Sequence, residues 1–92
     1  MIHLGVYRVR VSKTARKRMD KAPDEVYILF DELIEDLAAK GPVQPEWSNH
    51  SKLGKDAYHC HLAFRWVACW YHEANSVQIE VYYAGSREDA PN

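Results

Sequence analysis

The strongest constraint on the fold is one long amphipathic segment in the first half of the chain. Its apolar residues recur at the spacing of a single helix face: Val26, Leu29, Phe30, Leu33 and Leu37. Pro23 suits the start of such a helix, because the first turn leaves backbone N–H groups unpaired in any case. Gly41 suits its end, because glycine readily adopts the conformation that closes a helix, and Pro42 prevents continuation. The sequence therefore predicts a helix between Pro23 and Gly41, with acidic residues on its outer face.

The second half of the chain changes to a period of two, which is typical of strands with one buried face. Apolar and polar residues alternate in 58–63, an apolar run follows at 66–71, and residues 77–83 alternate again. Asn75 and Ser76 suit a tight turn before the last of these segments. Three successive strands with short connections predict an antiparallel meander, whereas residues 42–56 are polar and irregular.

The N-terminal segment predicts one further strand and one further helix. Residues 7–11 alternate apolar and charged side chains, and Ser12 can cap a short basic helix that follows. The predicted architecture is α+β in the order β-α-α-β-β-β. A mainly antiparallel sheet of about four strands carries both helices on one face and leaves the other face open. No repeat or linker divides the chain, so residues 1–92 are expected to form a single domain.

Composition restricts the class of protein. Apolar residues make up 47% of the 92 residues, which favours a folded globule over a disordered segment. No apolar run approaches the roughly 20 residues of a membrane span, and the first residues do not resemble a signal peptide. We therefore expect a cytoplasmic protein without membrane association. Cys60 and Cys69 lie in apolar segments and are expected to be reduced core residues.

Charge is unevenly distributed, although the net charge is only −1. Residues 1–23 hold seven basic residues against Asp20, and residues 24–40 hold six acidic residues against Lys40. A basic segment can attract phosphate or an acidic partner, but it can equally be the solvated face of a helix. Charge alone therefore does not predict nucleic-acid binding.

Several short motifs follow one another in the second half of the chain. The step KLG at 52–54 leads into YHCHL at 58–62, then RWVACW at 65–70, and the last strand ends in AGSRE at 84–88. In this order the motifs resemble the RelE/ParE superfamily of bacterial toxins. The resemblance implies an antitoxin protein that holds the toxin inactive. RelE-like members cleave mRNA in the ribosome without a metal, whereas ParE-like members lack the nuclease residues and inhibit DNA gyrase.

The resemblance also implies a candidate catalytic site. His59 and His61 match two lysines of the RelE pattern, and strand alternation points both to one face. Imidazole titrates near neutrality, so it can act there as a base or an acid. Arg65 and Arg87 match arginines that would hold the scissile phosphate through pairs of N–H groups.

Further residues are candidate substrate contacts. Lys52 and Lys55 lie just upstream of the histidines and can contact the backbone of an RNA. Trp66, like Trp70 and Tyr82, can stack on bases if its ring reaches the open face of the sheet.

Each assignment has a structural alternative. The histidines can be solvated residues on an exposed sheet face, Arg65 can cap a hairpin edge, Arg87 can be a tail charge, and the aromatic residues can be core. A zinc site would need both histidines, His72 and a cysteine. Cys60 alternates to the opposite face from its neighbours, so this spacing fits a tetrahedral site poorly. We therefore expect neither a metal nor another cofactor.

The leading hypothesis is the toxin of a type II toxin–antitoxin system, which inhibits translation by metal-independent, ribosome-dependent mRNA cleavage. The alternatives are a non-catalytic ParE-like inhibitor of DNA gyrase and an inactive toxin-fold module that only binds a partner. Three features depart from the RelE pattern. The hairpin before Arg65 is shorter, the C-terminal catalytic tyrosine has no match, and the chain is slightly acidic.

Overall fold

The computed structural model describes residues 6–91 and contains two helices, five strands and a short 3-10 helix. The elements in chain order are β1 (Arg8–Val11), α1 (Lys13–Asp20), α2 (Asp24–Lys40), β2 (Ser48–Lys52), β3 (Ala57–Ala63), β4 (Trp66–His72), β5 (Gln78–Ser86) and the 3-10 helix Arg87–Asp89. The predicted α+β architecture is confirmed. The difference is β2, which lies in the segment that the sequence analysis interpreted as irregular, so the sheet has five strands instead of about four.

The sheet has the strand order β1-β5-β4-β3-β2. The pairs from β2 to β5 are all antiparallel, so the predicted meander of the last three strands is confirmed. β1 joins the sheet as expected, but it pairs in parallel with β5. β1 and β2 are therefore the two edges, and the middle of the sheet is formed by β5, β4 and β3.

Both helices pack on one face of the sheet and form the main core there. α2 contributes Phe30, Leu33 and Leu37, and α1 contributes Met19, all with no exposed surface. Burying each such side chain stabilises the fold by about 1.5–3 kcal/mol, so this helical stripe carries a large part of the folding free energy. α2 ends at Gly41 as predicted, and this glycine has a φ of 95° that other residues rarely adopt.

A β-bulge changes the alternation of β5. Cys69 pairs with Tyr83 but Trp70 pairs with Val81, so Tyr82 is an extra residue in the ladder. The clean alternation predicted for residues 77–83 therefore breaks at this point. Tyr83 joins Val67 and Cys69 in a second, smaller apolar cluster on the face away from the helices.

Both cysteines are free and buried, as the sequence predicts. Cys60 belongs to the main core and Cys69 to the small cluster on the other face. Burial raises the pKa of Cys60 to about 12 and that of Cys69 to about 11. Both thiols are therefore protonated and unreactive at neutral pH. None of the helices between residues 6 and 91 is long and apolar enough to cross a membrane.

Candidate active site on the exposed face of the sheet

The two histidines of β3 lie side by side on the face of the sheet that the helices leave uncovered. His59 pairs with Cys69 and His61 with Val67, and both partners belong to the small cluster on that face. The two ring centroids are 5.9 Å apart and the rings meet at 62°. The predicted alternation of this strand is thus present, because Cys60 between the two histidines is buried in the main core.

The unpredicted strand β2 supplies a polar partner for each ring. Ser51 Oγ lies 2.9 Å from His59 Nδ1, and Asn49 Nδ2 lies 3.1 Å from His61 Nδ1. An irregular register between Ser48 and Ser51 brings Asn49 beside His61, and Asn49 adopts a φ of 52° there. These contacts leave Nε2 of each ring as the nitrogen that can exchange a proton with a ligand.

Asn49 and Ser51 were missed by the sequence analysis, although one signal was present. The two residues have the same spacing of two as the histidines that they contact. His50 between them turns to the helix side, where it stacks on Tyr58 and accepts from a backbone N–H. This alternation identifies a strand, but its inner residue is polar and so gives no apolar period.

The environment favours the neutral form of His61. Burial lowers the pKa of His61 below its ordinary value of 6.5, and the nearby positive charges of His59 and Arg87 lower it further. The Asn49 amide N–H can only donate, so the neutral His61 ring accepts at Nδ1 and carries its own proton on Nε2.

Arg87 is the cation that the fold places beside the imidazoles. It is the first residue of the 3-10 helix after β5, whose start is capped when the Ser86 hydroxyl accepts from the backbone N–H of Glu88. Arg87, His59 and His61 line one groove of about 230 Å³, with Val67 and Cys69 at its base. Three of the four predicted catalytic residues therefore meet.

Arg65 lies close by but outside this groove. It occupies the two-residue turn between β3 and β4, and its carbonyl accepts from the backbone N–H of Arg87 at 2.7 Å. Its guanidinium lies over the ring of Phe64, 5.8 Å from the centroid. Phe64, Arg65 and Arg87 share an adjacent groove of about 170 Å³. The two arginines are therefore neighbours, but only Arg87 reaches the histidines.

The predicted substrate contacts do not join this site. Lys52 Nζ lies 5.7 Å from the centroid of Tyr58, whose ring packs against the main core, so Lys52 is on the opposite face from His59. Lys55 is exposed in the connection at the other end of β3 from Arg87. Trp66 packs against the main core on the helix side, because it alternates with Val67, which faces the histidines. The structure therefore corrects the expectation that Trp66 reaches the open face.

The other two aromatic candidates also differ from each other. Trp70 is fully buried in the main core and donates its indole N–H to the Pro42 carbonyl at 2.9 Å. Tyr82 lies at the small cluster on the histidine face, because it alternates with Val81, which belongs to the main core. Of the three rings, only Tyr82 is on the side of the candidate site.

The residues considered for zinc are dispersed. Between residues 6 and 91 no three His, Cys, Asp or Glu side chains are arranged to hold a metal ion together. His72 lies at the far end of β4, where its Nε2 is 2.8 Å from the Ser76 carbonyl and its ring meets that of Tyr7. The site thus combines two imidazoles and one guanidinium, groups suited to proton transfer and to holding an anionic phosphate.

Comparison with known proteins identifies the fold. No family model matches the chain, and no curated protein sequence matches it. Among solved structures, the RelE–RelB complex of Pyrococcus horikoshii is similar with a TM-score of 0.74 and 18% identity, covering 92% of this chain and 99% of that one. A mutant of E. coli toxin RelE in the free state has a TM-score of 0.71 and 14% identity, covering 92% and 87%.

A third similar structure is the YoeB–YefM complex of Staphylococcus aureus. It has a TM-score of 0.66 and 12% identity, and the likeness covers 86% of this chain and 94% of that one. Likeness at such low identity establishes the arrangement of helices and strands and not the activity. The chain has the fold of RelE and YoeB.

Proposed function

We propose that this protein is the toxin of a type II toxin–antitoxin system and that it inhibits translation by cleaving mRNA on the ribosome without a metal. The observation that carries the proposal is the groove in which Arg87 meets the imidazoles of His59 and His61, on a fold shared with RelE and YoeB. The toxin would act in the cytoplasm, where ribosomes and mRNA are. An antitoxin partner is supported by the complexes of RelE with RelB and of YoeB with YefM.

The proposed reaction is an attack of the ribose 2′-OH on the adjacent phosphorus. His59 takes the proton of the 2′-OH at Nε2, while its Nδ1–H donates to the Ser51 hydroxyl, which can accept as well as donate. The new P–O bond closes a 2′,3′-cyclic phosphate as the bond to the 5′ oxygen breaks. That oxygen takes a proton from a water molecule, and the hydroxide that forms takes the proton that His59 holds.

Arg87 and His61 stabilise the charge that develops during this attack. The crowded phosphorane carries more negative charge on its oxygens than the starting diester, so fixed donors beside it lower the barrier. The guanidinium of Arg87 supplies charge-assisted hydrogen bonds, and the Nε2–H of neutral His61 supplies another donor.

The test is cleavage of a defined mRNA bound to purified ribosomes, with the 3′ ends of the products sequenced. The double variant His59→Ala with His61→Ala should lose about 10²–10⁴-fold in rate, the usual contribution of general acid–base catalysis. Lys52→Ala is the matched control on the opposite face of the sheet and should cleave as the wild type does. A double variant with wild-type rate would remove both histidines from the mechanism.

A second candidate function is supported by the exposed cations of α1. Lys13 and Lys17 are exposed on this helix and offer a contact surface for a large acidic or nucleic-acid-bound target. Arg18 is exposed as well, although its guanidinium lies 5.0 Å from the centroid of the Tyr83 ring. A ParE-like gyrase inhibitor would use such a surface and would need no groove. Expression in cells distinguishes the two proposals, because gyrase inhibition induces the DNA-damage response while mRNA stays intact.

A further inference from the structure

Phe64 is the most exposed large apolar side chain in the part of the chain that the structure describes. It occupies the turn between β3 and β4 and is 79% exposed. Turns of this length favour glycine, asparagine, aspartate or serine, so the turn itself gives no reason for a phenylalanine. An exposed aromatic ring contributes nothing to the core, which suggests that it has a contact outside the folded chain.

Phe64 lies at the rim of the proposed active site. Together with His61 and Arg87 it lines a groove of about 390 Å³, which also includes Asn49. This volume lies within the roughly 300–1,000 Å³ that is usual for sites of small organic groups. The same ring lines the adjacent groove with Arg65 and Arg87. Phe64 is therefore next to the cation that would hold the phosphate.

The Phe64 ring also has one face beside a cation and one face free for stacking. The Arg65 guanidinium lies over one face of it, 5.8 Å from the centroid, and the high exposure leaves the other face open. Proteins that bind single-stranded nucleic acids place exposed aromatic rings beside cations that track the backbone. A cation over the ring is attracted to its negative face.

We propose that Phe64 is a stacking platform for the base of the nucleotide next to the phosphate that Arg87 holds. This inference rests on the proposed function and adds a substrate subsite to it. The ligand is a base of single-stranded RNA. The base stacks on the free face of the ring while the adjacent phosphate contacts Arg87.

A second exposed aromatic residue on the same sheet face offers a control. Tyr71 is 45% exposed and follows two residues after Cys69 on β4. Its surroundings differ, because the groove beside it is lined by the carboxylates of Glu73 and Glu80 as well as by Arg10. Two carboxylates disfavour a phosphate there, so Tyr71 should not bind the RNA.

The experiment measures binding of the toxin to ribosomes that carry a defined mRNA made uncleavable by 2′-O-methyl groups, and to ribosomes without mRNA. Phe64→Ala should weaken binding to the mRNA-loaded ribosomes by roughly 5- to 100-fold, the range for loss of one base stack. Binding to mRNA-free ribosomes should not change. Phe64→Trp should restore the affinity and Phe64→Leu should not, because leucine is apolar but cannot stack. Tyr71→Ala should behave as the wild type.

The outcomes separate this inference from the proposed function. If Arg87→Ala weakens binding to mRNA-loaded ribosomes and Phe64→Ala does not, Phe64 is not a stacking platform, although the nuclease proposal stands. If Phe64→Ala weakens binding equally with and without mRNA, the ring contacts the ribosome or another protein surface and the inference is overturned. If wild-type toxin gains no affinity from the mRNA, the proposed function fails and the subsite with it.

Discussion

At the scale of single residues, two polar side chains of an edge strand determine how each imidazole of the site can act. Asn49 donates to His61 Nδ1, so the neutral ring keeps its proton on Nε2. Ser51 can donate or accept, so His59 is free to adopt the tautomer that a base requires. In the proposed mechanism, two histidines of similar position therefore have different roles because their partners differ.

The pKa of His61 should respond to both Asn49 and Arg87. Burial and nearby positive charge lower this pKa below 6.5, so the ring is neutral at pH 7 and gains its proton only at lower pH. Asn49→Asp places a carboxylate at Nδ1 and should raise the pKa, and Arg87→Gln should raise it by removing a positive charge. The Cε1–H signals of His61 followed by NMR titration measure both shifts. An unchanged midpoint in both variants would contradict the arrangement described for the groove.

At the scale of elements, the end of α2 requires a residue without a side chain at Gly41. Its φ is 95°, and a Cβ atom there would lie 2.7 Å from the Tyr7 ring. Gly41→Ala should therefore lower the free energy of unfolding by about 1–3 kcal/mol, from backbone strain and from displacement of the ring. Urea denaturation followed by tryptophan fluorescence measures the change.

Gly54 provides the matched control for this substitution. A Cβ atom at Gly54 would meet no other atom within 4 Å, and its φ lies outside the left-handed range. Gly54→Ala should therefore stay within about 0.5 kcal/mol of the wild type. If the two substitutions lowered the free energy of unfolding equally, the effect at Gly41 would not come from its backbone conformation or from the nearby Tyr7 ring.

The same elements show what the sequence can and cannot predict. α2 was predictable because its apolar stripe and its Pro23 and Gly41 boundaries agree. β2 was not, because an edge strand with polar side chains on both faces has no apolar period, and its register with β3 is irregular. His59 and His61 follow from alternation alone, whereas their partners Asn49 and Ser51 required the register between β2 and β3.

The bulge in β5 and the face that Trp66 occupies both escape prediction, because the sequence does not specify the register of these strands. Which face a strand residue occupies depends on its register with neighbours, and one extra residue reverses the pattern. Tyr83 therefore leaves the main core and joins Tyr82 at the small cluster, which the sequence alternation did not indicate. Trp66 lies in β4, where a predominantly apolar run gives no clue to which face is buried.

At the scale of the whole molecule, the two helices present opposite charges to solvent. The exposed side chains of α1 are mostly basic and those of α2 mostly acidic. Between residues 6 and 91 one ion pair forms, Lys40 with Glu46, and it involves neither the cations of α1 nor the outer carboxylates of α2. Both surfaces therefore remain available to partners.

An antitoxin with an acidic, partly disordered segment would bind the basic surface of α1. Reversing its charge with Lys13→Glu and Lys17→Glu should weaken antitoxin binding about tenfold or more, since like charges would then face each other. Toxicity should persist, because neither lysine lies near the groove of His59 and Arg87. Growth of cells that express the variant, with and without the product of the adjacent reading frame, measures both effects.

Reversal of the acidic helix is the control for this prediction. Glu32→Lys with Glu35→Lys changes the charge of α2 by the same magnitude with the opposite sign. Neutralisation of the toxin by an acidic antitoxin should then be unchanged or stronger. Antitoxin binding and toxicity should respond to different substitutions. The antitoxin would be recognised through the charge of a helix, whereas the RNA would bind in a groove on the opposite face of the sheet. A variant of α1 that loses toxicity would instead assign this helix to contact with the cellular target, as the gyrase-inhibitor proposal requires.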